Sequence, residues 1–216
     1  MFFNLLFFIY ALVYLPYLLL TGRWYKDYGC RLGFFSPQLK ALLKGKSSIW
    51  IHAVSVGEIM AITPLVAQIK VRFPKEPIVI TVTTKTGYAL AQSKLDQSAV
   101  VMPSPLDFSW VAAYFVRLIK PKIYIAAETE IWPNLFNSLS QKNVPIVIIN
   151  GRISDVSFGR YKAIRCILQG TLKKVSLFCM QSDTDAKRIV ELGAPVDKVL
   201  TVGNIKFDNL PKFYIV

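Results

Sequence analysis

A chain of 216 residues, 53% hydrophobic and only 18% charged, has the length for one ordinary domain and a short appendage, and is too apolar for a disordered or highly charged segment. Its 26 Lys and Arg against 13 Asp and Glu leave a net +13, which suits an anionic partner: nucleic acid, an anionic membrane surface or a phosphorylated lipid. The three cysteines, Cys30, Cys166 and Cys179, are widely spaced and form no CxxC, which argues for reduced thiols over a disulfide framework or a zinc site.

Residues 2–20 carry no charge, and only Asn4 and Pro16 are unfriendly to a bilayer helix. At about 1.5 Å per residue the run reaches roughly 28 Å, close to the thickness of a hydrocarbon core. Nothing basic precedes it and Leu18-Leu19-Leu20-Thr21-Gly22 is a poor cleavage site, which argues against a cleaved signal peptide. A buried helix of a soluble domain is the other alternative. The pattern predicts a transmembrane anchor helix over residues 1–22, or one lying partly in the interface if Pro16 kinks it. Arg23, Lys26, Arg31, Lys40, Lys44 and Lys46 follow, with Asp27 the single acid among them. Residues 23–47 therefore read as a basic juxtamembrane segment, and the positive-inside rule puts the body in the cytoplasm. Leu32 to Phe35 stand either as core or as a lipid-contacting surface.

From Ser48 onward, short runs rich in β-branched residues alternate with amphipathic stretches of helical length. Strands are expected near 49–54, 78–83, 99–102, 123–127, 145–149, 176–180 and 198–202, and helices near 58–71, 87–95, 108–119, 132–141, 158–173 and 183–192. Such alternation with short connections predicts an α/β, Rossmann-like domain over residues 48–208: a parallel sheet covered on both faces. Trp110, Tyr114 and Phe115, at helical spacing, are expected in its core.

In such a sheet the ligand crevice lies beyond the carboxyl ends of the strands, and those ends are rich in polar and special-backbone residues. The first turn holds the single glycine Gly57 and no GxGxxG, which disfavours a nicotinamide or flavin cofactor, and a Walker lysine motif is also absent. Glu58 opens the first helix of the domain; it is either a first-turn acid complementing the helix dipole or a general base at the crevice. Glu128 and Glu130 end an apolar strand just before Trp132-Pro133, where each is either a helix cap or a crevice acid. His52, the only histidine, reads as a packed strand residue. Arg152, Arg160, Lys162, Arg165, Lys173 and Lys174 form either a solvated helix face or a phosphate-holding cluster.

Five stretches in order carry a family resemblance: Trp50-Ile-His-Ala-Val-Ser-Val-Gly-Glu58, Glu128-Thr-Glu-Ile-Trp-Pro-Asn134, Asn150-Gly-Arg-Ile-Ser-Asp155, Gln181-Ser-Asp-Thr-Asp185 and Gly203-Asn-Ile-Lys-Phe-Asp208. With them the chain resembles the N-terminal half of bacterial 3-deoxy-D-manno-octulosonic acid (Kdo) transferases, from the apolar N-terminus to about Asp208. The resemblance implies a GT-B glycosyltransferase of two Rossmann-like domains. Such an enzyme passes Kdo from CMP-Kdo to a lipid A precursor in lipopolysaccharide biosynthesis, at the cytoplasmic face of the inner membrane. It also implies inversion at the anomeric centre and no metal or other cofactor. Glu58 matches the family's general base, and Glu128 and Lys206 match residues assigned to transition-state stabilisation. Ser55, Gly57 and Arg152, at the same strand ends, are the acceptor-binding candidates.

The family's second, CMP-sugar-binding domain should begin soon after Asp208, so residues 209–216 are expected to be a truncated tail. The expected function is then that of the acceptor-binding part of a Kdo transferase, inactive alone. The alternatives are a non-catalytic, membrane-tethered binding protein or gene remnant. Nucleic-acid binding through the +13 charge has no recognised motif behind it and is not expected.

Overall fold

The computed structural model describes residues 28–205 together with Asn4, Phe8 and Leu12. A 3-10 turn, Tyr28–Leu32, and helix α1, Pro37–Leu43, lead into the sheet. Strand and helix then alternate: β1 Ser48–Ala53, α2 Val56–Arg72, β2 Ile78–Val82, α3 Lys85–Leu95, β3 Val100–Pro103, α4 Ser109–Ile119 and β4 Pro121–Ala127. The second half continues with α5 Pro133–Ser140, β5 Ile146–Gly151, α6 Asp155–Ala163, α7 Arg165–Leu172, β6 Leu177–Met180, α8 Asp183–Glu191 and β7 Val199–Thr201.

The seven strands form one sheet in the order β3-β2-β1-β4-β5-β6-β7, every neighbouring pair parallel. Side chains alternate across a strand, and β1 shows what that demands: all six of its residues are buried. Ile49, Ile51 and Ala53 pack with Ile59, Ile62 and Val66 of α2 on one face. Trp50 packs with Phe115 of α4 and Phe136 of α5 on the other, its ring set edge-on to Tyr124 at 5.0 Å between centroids. The expected parallel, doubly covered α/β sheet is therefore present.

Helices α4 and α5 begin on aromatic residues that offer no side-chain cap, Phe108 and Trp132. Each borrows a cap from elsewhere in the chain. Asn4 Oδ1 accepts from Ser109 N at 3.0 Å while its Nδ2 donates to Ser109 Oγ at 2.8 Å. Asp107 accepts from Asn134 N at 3.0 Å through Oδ2 and from Leu135 N at 2.8 Å through Oδ1. Both satisfy helix-start N–H groups that would otherwise lack partners.

Several expectations need correction. No helix among the described residues is long and apolar enough to cross a membrane. The transmembrane part of the expected fold, and the inner-membrane location read from it, are therefore not supported by the described residues. Of residues 1–22 only Asn4, Phe8 and Leu12 are described, and the rest lie outside the described residues. The polar side chain of Asn4 is engaged with the protein's own helix α4, a partner that hydropathy alone does not reveal. Trp110 is 59% exposed, stacked on Phe108 at the start of α4, whereas Phe115 is fully buried. Phe35 joins the core while Phe34 points outward. The single helix expected over 158–173 is two, because Ile164 leaves helical geometry at φ −113° and ψ 20°.

Candidate active site

Strand β1 connects to β2 on one side, and β4 lies against β1 on the other. The chain direction diverges between β1 and β4, so their carboxyl ends open the crevice where α/β sheets bind ligands. Ser55 leaves β1 in an extended conformation, φ −120° and ψ 167°, and caps α2. Glu58 returns the favour as a capping box, one of the two readings its sequence position left open. Its Oε2 accepts from Val54 N at 2.8 Å, and its Oε1 accepts from Ser55 N at 3.1 Å and from Ser55 Oγ at 2.8 Å. The residue is buried, 5% exposed. Burial raises its pKa above the ordinary carboxylate value; the hydrogen bonds from Val54 and Ser55 oppose that, and the Glu128 charge adds to it.

Glu128 follows β4 with a left-handed backbone, φ 72°, strained for a residue with a side chain. Its N–H holds the end of β5, donating to Ile149 O at 2.8 Å. Glu130 stands two residues on, half-buried, and burial together with the charges of Glu58 and Glu128 pushes its pKa up to about 7. Three carboxylates from two strand ends thus sense one another across the switch point, and one of them can carry or take a proton near neutral pH.

The structure brings Ser55, Gly57, Glu58 and Glu128 to this one edge, with Gly57 exposed in the first turn of α2. Arg152 is exposed at the end of β5, its backbone N donating to Thr129 Oγ1 at 2.9 Å. Lys206 lies outside the described residues. His52 is buried in β1 with Nδ1 at 3.0 Å from Thr81 Oγ1; desolvation first, then the Arg31 charge, lowers its pKa to about 3. It stays neutral and belongs to the packed interior. Lys162 of the basic cluster pairs with Glu191 at 2.7 Å, an exposed contact. Among the described residues no group of three His, Cys, Asp or Glu is placed to hold a metal ion.

Glu130, read in the sequence as either a helix cap or a crevice acid, owes its raised pKa to a burial that depends on the fold around it, and one feature went unread. Asn150 ends β5 buried and left-handed, φ 54°, and the Asn-Gly pair it forms with Gly151 was the available signal.

The family model for 3-deoxy-D-manno-octulosonic-acid transferase (kdotransferase) matches residues 26–209. The chain is 42% identical over 174 residues to a bifunctional glycosyltransferase/methyltransferase of Fusobacterium nucleatum, covering 79% of this chain and 27% of that protein. It is 38% identical over 178 residues to the 3-deoxy-D-manno-octulosonic acid transferase of Haemophilus influenzae, covering 82% and 41%. The chain thus spans less than half the length of these curated relatives. Among solved structures it is similar to the UDP-GlcNAc 2-epimerase of Neisseria meningitidis, with TM-score 0.53 at 11% identity over 75% of this chain and 48% of that one. That likeness concerns the fold alone. The motif order, the carboxylates gathered at the switch point and the match over residues 26–209 lead to one conclusion: this chain belongs to the 3-deoxy-D-manno-octulosonic-acid transferase family.

Proposed function

We propose that this chain provides the acceptor side of a Kdo transfer from CMP-Kdo to a lipid A precursor, with Glu58 as general base. The acceptor hydroxyl oxygen attacks the anomeric carbon and gives its proton to Glu58. The bond from that carbon to the CMP phosphate oxygen breaks, its electron pair leaving with CMP, and the centre inverts. Glu128 and Lys206 stabilise the charge that develops, and Ser55, Gly57 and Arg152 line the acceptor's approach.

The observation that carries this reading is the setting of Glu58, buried at the switch point with a raised pKa beside Glu128. Its capping duty leaves room for catalysis. A carboxylate has about four acceptor positions, and among the described residues Oε1 uses two while Oε2 accepts from Val54 N, so Oε2 keeps one for a substrate proton. A second reading makes Glu130 the base, because its pKa of about 7 is matched to proton transfer near neutral pH.

The test separates binding from chemistry. The 216-residue chain alone is expected to bind a phosphorylated lipid A precursor and to transfer little Kdo from CMP-Kdo. Adding the remaining, C-terminal portion of the Haemophilus influenzae relative is expected to support transfer. Glu58→Gln then lowers that transfer about 100-fold or more, the usual worth of a positioned base, with acceptor binding retained. Robust transfer by the chain alone overturns the assignment of the acceptor side only. A large loss in Glu130→Gln with none in Glu58→Gln moves the base to Glu130. Acceptor binding without transfer under any condition supports a non-catalytic binding protein instead.

A further inference from the structure

Backbone N–H groups hold both oxygens of the Glu58 carboxylate, and the carbonyl of each peptide unit involved is held in turn by the residues that follow β2. Oε2 accepts from Val54 N at 2.8 Å, and the carbonyl of that unit, Ala53 O, accepts from Thr83 N at 3.3 Å. Oε1 accepts from Ser55 N at 3.1 Å, and the carbonyl of that unit, Val54 O, accepts from Thr84 N at 3.1 Å. A side chain joins only the second unit: Thr84 Oγ1 donates to Val54 O at 2.7 Å, the shorter of the two bonds on that oxygen.

The same hydroxyl accepts from Gly87 N at 3.2 Å and so caps α3. Capping uses its lone pair, and its proton is spent on Val54 O, across the gap between the ends of β2 and β1. That second bond has no part in starting α3. Gly87 leaves the space for it, since a Cβ there would lie 2.9 Å from Thr84 Oγ1 and 3.2 Å from the carbonyl carbon of Ser55. A peptide unit is planar, so fixing its oxygen also fixes the direction of its N–H. An oxygen that accepts hydrogen bonds polarises the unit and makes that N–H the stronger donor.

We propose that Thr84 is a positioning residue for Glu58, its hydroxyl orienting the Val54–Ser55 peptide unit so that Ser55 N–H stays aimed at Oε1. The role matters for transfer because Glu58 is read as the general base, and it assigns no chemistry to Thr84 itself.

Amide hydrogen exchange of the full chain, followed residue by residue by NMR, tests it. Thr84→Val removes the hydroxyl and leaves Val54 O its bond from Thr84 N. The Ser55 amide is expected to exchange about fivefold faster, the change that losing one hydrogen bond produces. The Val54 amide, whose unit hangs from Thr83 N, is expected to stay within about twofold of wild type. Thr84→Ser, which keeps the hydroxyl, restores the wild-type rate. Because these N–H groups favour the ionised carboxylate, the Glu58 titration midpoint, read from its carboxyl carbon, rises in Thr84→Val and returns in Thr84→Ser. Glu128 and Glu130, whose charges reach Glu58, are the same in all three chains. An unchanged Ser55 rate, an equal rise at Val54 and Ser55, no rescue by serine, or an unmoved Glu58 midpoint overturns the proposal. Failure of Glu58 as the base shows in the Glu58→Gln transfer assay and leaves these rates unaffected, so the two readings fail separately.

Discussion

Asp107 offers a sharp test of how burial competes with hydrogen bonding in this fold. It is 3% exposed, and burial outweighs the two backbone N–H bonds it receives from Asn134 and Leu135, raising its pKa from 3.8 to about 7. Because the folded value lies above the unfolded one, the group's stabilising contribution is full below 3.8 and is lost as pH rises through about 7. A shift of roughly three pH units at about 1.4 kcal/mol each is on the order of 4 kcal/mol. Asp107→Asn cannot titrate, but its Nδ2 cannot accept, so one of the two N–H groups that Oδ1 and Oδ2 hold is stranded. Urea unfolding is therefore expected to show the variant less stable by about 1–3 kcal/mol near pH 4. Between there and about pH 8 the difference shifts in the variant's favour by as much as ~4 kcal/mol. Glu58 and Glu130, whose pKa values are also raised, act with the same sign in both proteins and cancel in the difference. Parallel curves across the range would refute the reasoning, showing that the N–H bonds and the start of α5 keep Asp107 ionised after all.

Two other perturbations follow from the packing. Gly33 has φ 97°, and a Cβ there would lie 2.8 Å from Tyr114 Cδ1, so Gly33→Ala should cost about 2 kcal/mol or more. In thermal melts that appears as a drop of roughly 4–8 °C, and an unchanged midpoint would show that the turn re-forms. Asp185 accepts from Ile153 N at 2.7 Å within the core edge, so Asp185→Ala strands a buried N–H and should cost about 2 kcal/mol. Asp183→Ala, on the exposed first turn of the same helix, should cost no more than about 0.5 kcal/mol, and equal losses at the two sites would deny Asp185 its special role.

The strands were legible because a buried parallel sheet concentrates β-branched residues: Ile78–Val82 and Ile146–Gly151 announce themselves by composition. The crevice residues followed, since strand ends can be read once strands can. What stayed hidden depends on distant partners. Asn4 caps a helix 105 residues away, and Asp107 one 27 residues away, and no local pattern marks either acceptor. The apolar run around Asn4 carries a strong hydropathy signal, yet that signal says nothing of the hydrogen bonds Asn4 makes to Ser109. The break at Ile164 has no Pro or Gly at the break itself. Trp110 fits a helical apolar stripe, but it lies at the start of α4, where a ring can rest on Phe108 instead of entering the core. Glu58 remained ambiguous in the sequence because capping and proton transfer place the same residue at the same position.

The strand order also sets a timetable. Ser48 of β1 pairs with Pro121 of β4, and the intervening two βα units build outward on the opposite side of β1. On a ribosome adding about 5–20 residues per second, one edge of β1 waits roughly 4–15 s for its partner to emerge. During that interval a wholly apolar-flanked strand offers an open row of peptide groups, the template from which misassembly starts. Nascent chains should be most in need of chaperone cover between synthesis of α2 and synthesis of β4, and the crevice that holds Glu58 and Glu128 takes shape only when that exposure ends.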